Sequence, residues 1–195
     1  FMAIGGILHD LGKARVPLEV LNKPGKLEEG EFAIMKKHPE LGEELAASNG
    51  ITDRRSLDVI RKHHERYNGG GYPDNLNGTA ISIEARIAAV ADVFDALTAK
   101  RVYKNPMPSR EAMSVMTGAM STHFDPDVMR VLLLSVGIYP SGSLVELSDG
   151  SVGTVVGAYG KDVVRPKVAL SLDRFGNRLT EKKIIDLSEE RELFV

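Results

Sequence analysis

The sequence concentrates potential metal-binding side chains in its first half. Four of its five histidines lie between residues 9 and 64, and several of them stand beside another possible ligand. The candidate ligands are His9, Asp10, His38, His63, His64 and Asp92. Imidazole and carboxylate groups together suit first-row metals such as iron, manganese, nickel or zinc. The set exceeds what one tetrahedral ion needs, so it favours two neighbouring metals over one.

The spacing of these residues indicates the chemistry that two metals would perform. Neighbours on a helix point about 100° apart, so His9-Asp10 and His63-His64 could each bracket a metal pair. Asp10 could then bridge both ions. Two metals about 3.5–4 Å apart would share a water molecule and lower its pKa. The resulting metal-bridging hydroxide is a suitable nucleophile for a phosphodiester.

Three cations are placed to bind the phosphate of such a substrate. Lys13 lies one turn after His9, while Arg101 and Lys104 follow the helix that carries the last candidate ligand. Arginine can bind phosphate as a two-pronged donor and lysine as a point charge. Asp10 and Lys13 are accordingly the predicted catalytic residues. Each cation alone would more often be a solvated surface charge, so the prediction depends on the whole set.

Helical patterns must position the first ligands. Residues Met2 to Leu11 are apolar on several faces, and this pattern stops at Gly12, as a buried helix end would. A second helical stretch runs from Glu28 to Ala47. Pro39 interrupts it, which predicts a kink or two helices that meet near His38.

The chain between residues 50 and 137 continues as helices on either side of one loop. Asp53 can cap a third helix that carries His64. The glycine-rich segment Asn68–Pro73 is a loop whose backbone can approach another group closely. Ser82 then opens a long helix with apolar residues at every third or fourth position. Further helix starts are predicted at Ser109 and at Asp125-Pro126.

The pattern changes after Tyr139-Pro140. Short strand-like segments follow at residues 144–147, 153–156 and 168–170, with turns at Asp149-Gly150 and Phe175-Gly176-Asn177. The predicted fold is mainly α. It consists of a helical bundle over residues 1–139, followed by a small β module over residues 140–195.

Composition excludes several classes of protein. The chain has 195 residues, 27% of them charged, and a formal net charge of −2, which argues against binding to DNA or RNA polymers. No apolar run approaches the roughly 20 residues of a membrane span, and no basic segment marks a signal peptide. The absence of cysteine excludes disulfides and zinc–thiolate sites and suits a reducing cytoplasm. We therefore expect a cytoplasmic protein.

The ordered motifs closely resemble one family. They are His9-Asp10-Leu11-Gly12-Lys13, His38, His63-His64-Glu65 with Gly69-Gly70-Gly71-Tyr72-Pro73, Asp92-Val93-Phe94-Asp95-Ala96-Leu97-Thr98 and Arg101-Val102-Tyr103-Lys104. This set resembles the HD-GYP family, a branch of the HD-domain phosphohydrolase superfamily, over residues 1 to about 135. The stretch from His63 to Pro73 is highly specific. The tail resembles, more loosely, the small β module that often follows such domains.

The resemblance implies an HD-domain-type helical bundle that binds two or three divalent metals, commonly iron or manganese, with nickel or zinc as alternatives. Members hydrolyse cyclic di-GMP to pGpG and often on to GMP, and some accept cyclic GMP-AMP. By motif, the six candidate ligands would bind metal, and Lys13, Arg101 and Lys104 would contact phosphate. Gly71 and Tyr72 would line the guanine-nucleotide pocket, where the Tyr72 ring offers a stacking face. Supporting positions are Glu65, Arg86 and Asp95.

One departure from the family concerns the start of the chain. Family members carry a further histidine, and trinuclear members a glutamate, on a helix upstream of the His-Asp pair. This chain begins eight residues before His9. We therefore expect a piece of a longer protein that has a sensory or receiver domain upstream. The β module could cap the core, mediate a homodimer or contact a partner, and nothing in its residues selects among these.

Two other functions stay open at this point. A non-catalytic module could bind a cyclic dinucleotide or a protein, although the intact ligand set favours catalysis. A general HD-superfamily nucleotide phosphohydrolase is the other, and the Gly71-Tyr72-Pro73 loop argues against it. His123 has only Asp125 as a ligand-like neighbour, and we interpret it as a packing or capping histidine outside the site.

Overall fold

The computed structural model describes residues 1–100, 105–157 and 164–195. Its helices are α1 Met2–Leu8, α2 Leu18–Leu21, α3 Glu29–Met35, α4 His38–Ser48, α5 Arg54–Lys62, α6 Ile83–Thr98, α7 Ser109–Thr117 and α8 Pro126–Val136. Short 3-10 helices span Leu11–Arg15, Gly78–Ala80 and Ser121–His123. Strands β1 Leu144–Glu146, β2 Val152–Gly157, β3 Lys167–Leu172 and β4 Arg178–Asp186 follow. This order confirms the mainly α fold with a small β module.

The chain divides into two compact units. The first comprises residues Phe1–Met107 and Ser114–Met129, and the second comprises Pro108–Met113 and Arg130–Val195. The division between residues 139 and 140 stays a prediction. Every helix in the described ranges is too short or too polar to cross a membrane.

The first unit packs the predicted ligand-bearing helices against one another. α1 packs on α5, α5 packs on both α4 and α6, and the 3-10 helix Leu11–Arg15 lies against α4. Val59 and Ile60 of α5 are completely buried in this core. Gly12 permits the closest approach, because a Cβ there would lie 2.5 Å from the backbone nitrogen of Gly42 on α4. A glycine is thus required where the chain carrying Asp10 passes α4.

Most helix boundaries agree with the sequence pattern, and the exceptions lie beside the histidines. α3 and α4 are separate helices that meet near His38, as Pro39 predicts. Asp53 caps α5 by accepting a hydrogen bond from the Ser56 backbone nitrogen at 2.8 Å. However, α1 ends at Leu8 rather than Leu11, and α5 ends at Lys62, before His64. The prediction that His64 lies within α5 is wrong.

The second unit contains a four-stranded antiparallel sheet in the order β1-β2-β3-β4. Alternate residues of these strands point to one face, where they form an apolar core. Its buried members are Val145, Leu147, Val155, Val168, Ile185 and Leu187. The sequence pattern predicted the first three strands, whereas β4 was missed. Its middle, Thr180-Glu181-Lys182-Lys183, is polar and hides the alternation.

Candidate metal centre

Three of the predicted histidine ligands are oriented by the helix that precedes them. In each, the Nδ1 atom lies at hydrogen-bonding distance from the carbonyl oxygen three residues earlier. The pairs are His9 with Gly6 at 2.6 Å, His38 with Met35 at 2.8 Å and His63 with Ile60 at 2.9 Å. Because a carbonyl oxygen can only accept, Nδ1 of a neutral ring carries the proton and Nε2 keeps its lone pair. Metal-binding histidines are commonly oriented by such bonds.

The Nε2 atoms converge on the carboxylate of Asp10. The His38 and His63 Nε2 atoms lie 3.3 Å apart, and Asp10 Oδ1 lies 3.4 Å from the first and 4.0 Å from the second. One ligand atom each from Asp10, His38, His63 and His64 can be chosen so that all lie within 4.8 Å of one another. The structure thus brings four of the six predicted ligands into a single group.

This group has the features of a site for a divalent cation. Two lone pairs that face each other at 3.3 Å repel unless positive charge lies between them. Asp10 Oδ1 is buried and has no hydrogen-bond partner within the described ranges, although burying an unpaired carboxylate oxygen is costly. A divalent ion would satisfy both demands, and mixed nitrogen and oxygen donors suit first-row metals. The residues therefore fit a divalent metal.

Of the other two predicted ligands, His9 lies beside the opposite oxygen of the same carboxylate, and Asp92 lies beside His9. His9 Nε2 is 3.4 Å from Asp10 Oδ2 and 3.8 Å from Oδ1 of Asp92 on α6. Asp10 therefore turns one oxygen to His38 and His63 and the other to His9. This is the arrangement that a bridging carboxylate requires, whereas the binding of two metals stays a prediction.

Burial and charge set the protonation states that metal binding needs. Burial, together with the neighbouring imidazoles, lowers the pKa of His63 to about 3 and that of His64 to about 2. Burial also lowers the pKa of His38. Burial acts to raise the pKa of Asp10, but hydrogen bonds from His9 and Lys13 outweigh it and hold this pKa well below its usual value. Near neutral pH His38, His63 and His64 are neutral imidazoles and Asp10 is a carboxylate, whereas the hydrogen bond to Asp10 raises the pKa of His9.

Of the predicted phosphate-binding cations, only Lys13 lies among the described residues. Lys13 lies in the 3-10 helix after α1, and its Nζ atom donates to Asp10 Oδ2 at 2.6 Å. It is thus paired with a predicted metal ligand and stands at the edge of the group. Arg101 and Lys104 lie outside the described residues.

Asp95, a predicted supporting residue, is exposed on α6.

The predicted supporting residue Glu65 organises the glycine-rich loop. Its buried carboxylate accepts hydrogen bonds from the backbone nitrogens of Asp74 at 2.6 Å and Leu76 at 3.0 Å. Gly71 packs so closely here that a Cβ would lie 2.5 Å from the Glu65 Cα. The bond between Tyr72 and the following proline is cis. The hydrogen bonds and the close contact of Gly71 hold the loop against Glu65, the residue that follows His64.

The loop delivers an aromatic ring to the metal-binding group. The Tyr72 ring lies 4.8 Å from the His64 ring, with an angle of 34° between their planes, and its backbone nitrogen donates to the His64 carbonyl at 3.2 Å. Burial, reinforced by the charges of Asp92 and Asp10, raises the pKa of the Tyr72 hydroxyl. The tyrosine thus stays neutral beside the cluster.

A cavity of about 160 Å³ adjoins these rings. Its walls include Phe32, His64, Arg66, Tyr72 and His123. His123, which the sequence analysis placed outside the site as a packing or capping histidine, is thus one of the residues that line this cavity. Only Asp125 is a ligand-like neighbour of His123 in the sequence. The available signal for its position was that it lies just before the helix start at Asp125-Pro126.

The predicted supporting residue Arg86, on α6, contacts the segment that follows His123. It forms an ion pair with Asp125, which is buried and accepts from the backbone nitrogens of Asp127 and Val128 at 2.8 and 3.3 Å. Hydrogen bonds from Arg86 and from the α8 backbone lower the pKa of Asp125 against the opposing effect of burial. The segment that carries His123 is therefore tied to α6.

Fold and site together define a helical domain that gathers imidazoles and carboxylates around a place for divalent metal. The sequence model of the HD domain matches residues 1–128, and that of the KOW domain associated with the HD domain matches residues 144–195. The chain belongs to the HD domain family, in the HD-GYP group that its motifs resemble.

Named relatives extend this similarity. The chain is 39% identical over 184 residues to the cyclic di-GMP phosphodiesterase PA4108 of Pseudomonas aeruginosa, which covers 94% of this chain and 44% of that protein. It is 43% identical over 130 residues to the 3′3′-cGAMP-specific phosphodiesterase 2 of Vibrio cholerae, covering 65% of this chain and 24% of that protein. The chain thus spans less than half the length of either relative.

One solved structure is similar in fold. The chain matches Bd1817, an HDG"Y"P protein of Bdellovibrio bacteriovorus, with a TM-score of 0.54 and 24% identity. The match covers 67% of this chain and 41% of that protein. At this identity the likeness concerns the fold alone.

Proposed function

We propose that this chain is the catalytic part of a metal-dependent phosphodiesterase that hydrolyses cyclic di-GMP to pGpG and on to GMP. The observation that carries the proposal is the convergence of oriented Nε2 atoms on the Asp10 carboxylate beside an aromatic cavity. The printed substrate of the Pseudomonas relative supports cyclic di-GMP. Cyclic GMP-AMP, the printed substrate of the Vibrio relative, is the second candidate.

The proposed ligands are His9, Asp10, His38, His63, His64 and Asp92. Divalent ions held by them would supply an acidified water molecule and positive charge against the phosphate oxygens. Iron or manganese is the proposed metal, in two or three positions, with nickel and zinc as alternatives.

The chain's own side chains orient and hold the reactants. The carbonyl oxygens of Gly6, Met35 and Ile60 fix the ring directions before any ion arrives, which reduces reorganisation on binding. Lys13 holds the Asp10 carboxylate in its anionic form and stands ready to exchange that contact for a phosphate oxygen. Arg101 and Lys104 are proposed as further phosphate contacts.

The surroundings of the cluster receive the nucleoside part of the substrate. The Tyr72 ring, which lies nearly perpendicular to the Phe32 ring at 6.4 Å between centroids, offers a flat surface for a base. Gly71 keeps the loop close to Glu65, and Arg86 supports the opposite side through Asp125. A cytoplasmic location, an upstream sensory or receiver domain and a homodimer complete the proposal.

The test compares metal content and turnover in one series of proteins. Wild-type protein purified without oxygen should contain iron or manganese and convert cyclic di-GMP to pGpG. Asp10→Ala should lose metal and at least about 100-fold in turnover while the fold persists, because it removes the shared carboxylate. Asp127→Ala, an exposed carboxylate of α8, is the matched control and should behave as wild type.

Three outcomes would contradict the proposal. Full turnover in Asp10→Ala would exclude the mechanism. Tight binding of cyclic di-GMP by metal-loaded wild type without any product would identify a binding module instead. Faster hydrolysis of simple nucleotides than of cyclic di-GMP would identify a general nucleotide phosphohydrolase.

A further inference from the structure

The cavity that Tyr72 lines also carries two polar side chains with no assigned role. They are Arg66, which follows Glu65 in the loop, and His123, which ends the 3-10 helix Ser121–His123. We propose that they form a base-recognition subsite, in which His123 and Arg66 bind the polar edge of a guanine ring while Tyr72 covers its face. This inference rests on the proposed function, because it names the part of the cyclic dinucleotide that the cavity takes.

His123 has unused hydrogen-bonding capacity. Its Nδ1 atom is buried without a partner, and neither ring nitrogen forms a hydrogen bond to the part of the chain that the structure describes. Buried polar atoms are almost always paired, so an exception needs a reason. Burial, together with the charge of Arg66, lowers the pKa of His123. A neutral ring offers one donor and one acceptor, which a ligand in the cavity can use.

The backbone around His123 is held firmly toward the cavity. The His123 carbonyl accepts a hydrogen bond from the Tyr67 backbone nitrogen at 2.8 Å. The Asn68 side-chain nitrogen donates to Thr122 Oγ1 at 3.1 Å. The segment 121–123 is thus fastened to the loop that carries Arg66 and Tyr72, so these residues keep a constant spacing. A subsite that discriminates between bases requires this rigidity.

The chemistry of the wall selects guanine over adenine. Arg66 is exposed and forms no ion pair among the described residues, so its guanidinium is available. Guanine presents two adjacent acceptors, O6 and N7, that match the paired donors of arginine, whereas adenine presents one acceptor and one donor. The aromatic ring of Tyr72 contributes stacking that every base accepts. Selectivity must therefore come from Arg66 and His123.

The closing experiment uses metal-loaded protein and three substrates. Cyclic di-GMP carries guanine, cyclic di-AMP carries adenine, and bis(p-nitrophenyl) phosphate is a phosphodiester without a nucleobase. His123→Ala should lower kcat/KM for cyclic di-GMP about tenfold, mainly through KM, and leave bis(p-nitrophenyl) phosphate within about twofold. His123→Gln and His123→Asn place an amide nitrogen near the Nε2 and Nδ1 positions, and one of them should restore most of the loss.

Arg66→Lys tests the guanine preference directly. It keeps the charge but loses the paired donors, so the ratio of kcat/KM for cyclic di-GMP over cyclic di-AMP should fall about tenfold. Arg54→Lys, at an exposed position at the start of α5, is the matched control and should leave this ratio unchanged.

The outcomes separate this inference from the proposed function. If wild type cleaves bis(p-nitrophenyl) phosphate but not cyclic di-GMP, the proposed function fails. If wild type cleaves cyclic di-GMP and His123→Ala lowers both substrates equally, or lowers neither, the subsite is refuted. Metal content and melting temperature are measured for each variant. If His123→Ala does not fold, the Gln and Asn variants carry the same comparison, and equal loss on both substrates again refutes it.

Discussion

The carboxylate of Glu65 is predicted to be a main anchor of the loop that carries Tyr72. Glu65→Gln keeps the size and shape of the side chain but replaces one carboxylate oxygen with an amide group. One of the two backbone nitrogens, that of Asp74 or Leu76, must then face an N–H group. The other exchanges a charged acceptor for a neutral one. The substitution therefore perturbs two hydrogen bonds without leaving a void.

The expected cost follows from the burial of these bonds. Glu65 is 3% exposed, so water cannot replace the lost acceptor. A buried N–H left unpaired costs about 1–3 kcal/mol, and loss of the charge on the remaining acceptor costs about 1 kcal/mol more. We expect the free energy of unfolding to fall by about 2–4 kcal/mol.

The assay is urea unfolding of both proteins at equal metal loading, with Glu44→Gln as the control. Glu44 pairs with Arg15 at 2.9 Å, but its side chain is 67% exposed, so the same chemical change there should cost less than about 1 kcal/mol. With a urea dependence of about 2 kcal/mol per molar, the middle of the usual range, Glu65→Gln should move the midpoint down by roughly 1–2 M. Equal shifts in the two variants would refute the reasoning.

The remaining predictions concern the two units separately. Arg86→Met should lower the free energy of unfolding by about 2–4 kcal/mol, because it leaves buried Asp125 with only its backbone donors; a melting temperature within 2 °C of wild type would contradict this. Since the pKa of Asp125 is lowered in the folded state, its contribution should be present above pH 3.8 and be lost as the pH falls through the lowered pKa. In the β module, hydrogen bonds from Lys167 and Ser188 lower the pKa of Asp186 to about 2. Carbon-13 NMR should show this carboxyl titrating there, and Lys167→Met should move it toward 3.8; an unchanged titration would exclude Lys167 as its main cause.

Residue types and motif order were enough to single out the four side chains that meet around Asp10, namely Asp10, His38, His63 and His64, but not to predict how they are oriented. Helix pattern and Pro39 correctly predicted that two helices meet near His38, which is the first residue of α4. Nothing in the residue types indicates that Nδ1 of His63 would bind the carbonyl of Ile60, because this depends on α5 ending at Lys62. The predicted helix included His64, whereas α5 ends at Lys62.

The missed elements have similar causes. The sequence near His123 holds only Asp125 as a ligand-like residue, whereas the cavity that His123 lines also includes Arg66 and Tyr72, which are more than 50 positions away. Strand β4 alternates clearly only at its end, near Ile185, where it faces the core. Long-range packing decides both cases, and a local pattern carries little information about it.

The carbonyl oxygens of Gly6, Met35 and Ile60 accept hydrogen bonds from three histidines, and these bonds have a consequence for metal selectivity. A ligand whose direction is fixed within its own helical turn cannot swivel to follow a cation of different radius. The distances between donor atoms are then dictated by how far apart the helices stand, and α1 and α5 are separated by apolar contacts around the fully buried Val59. Shortening Val59, which is not itself a proposed ligand, should therefore change which metal the protein prefers.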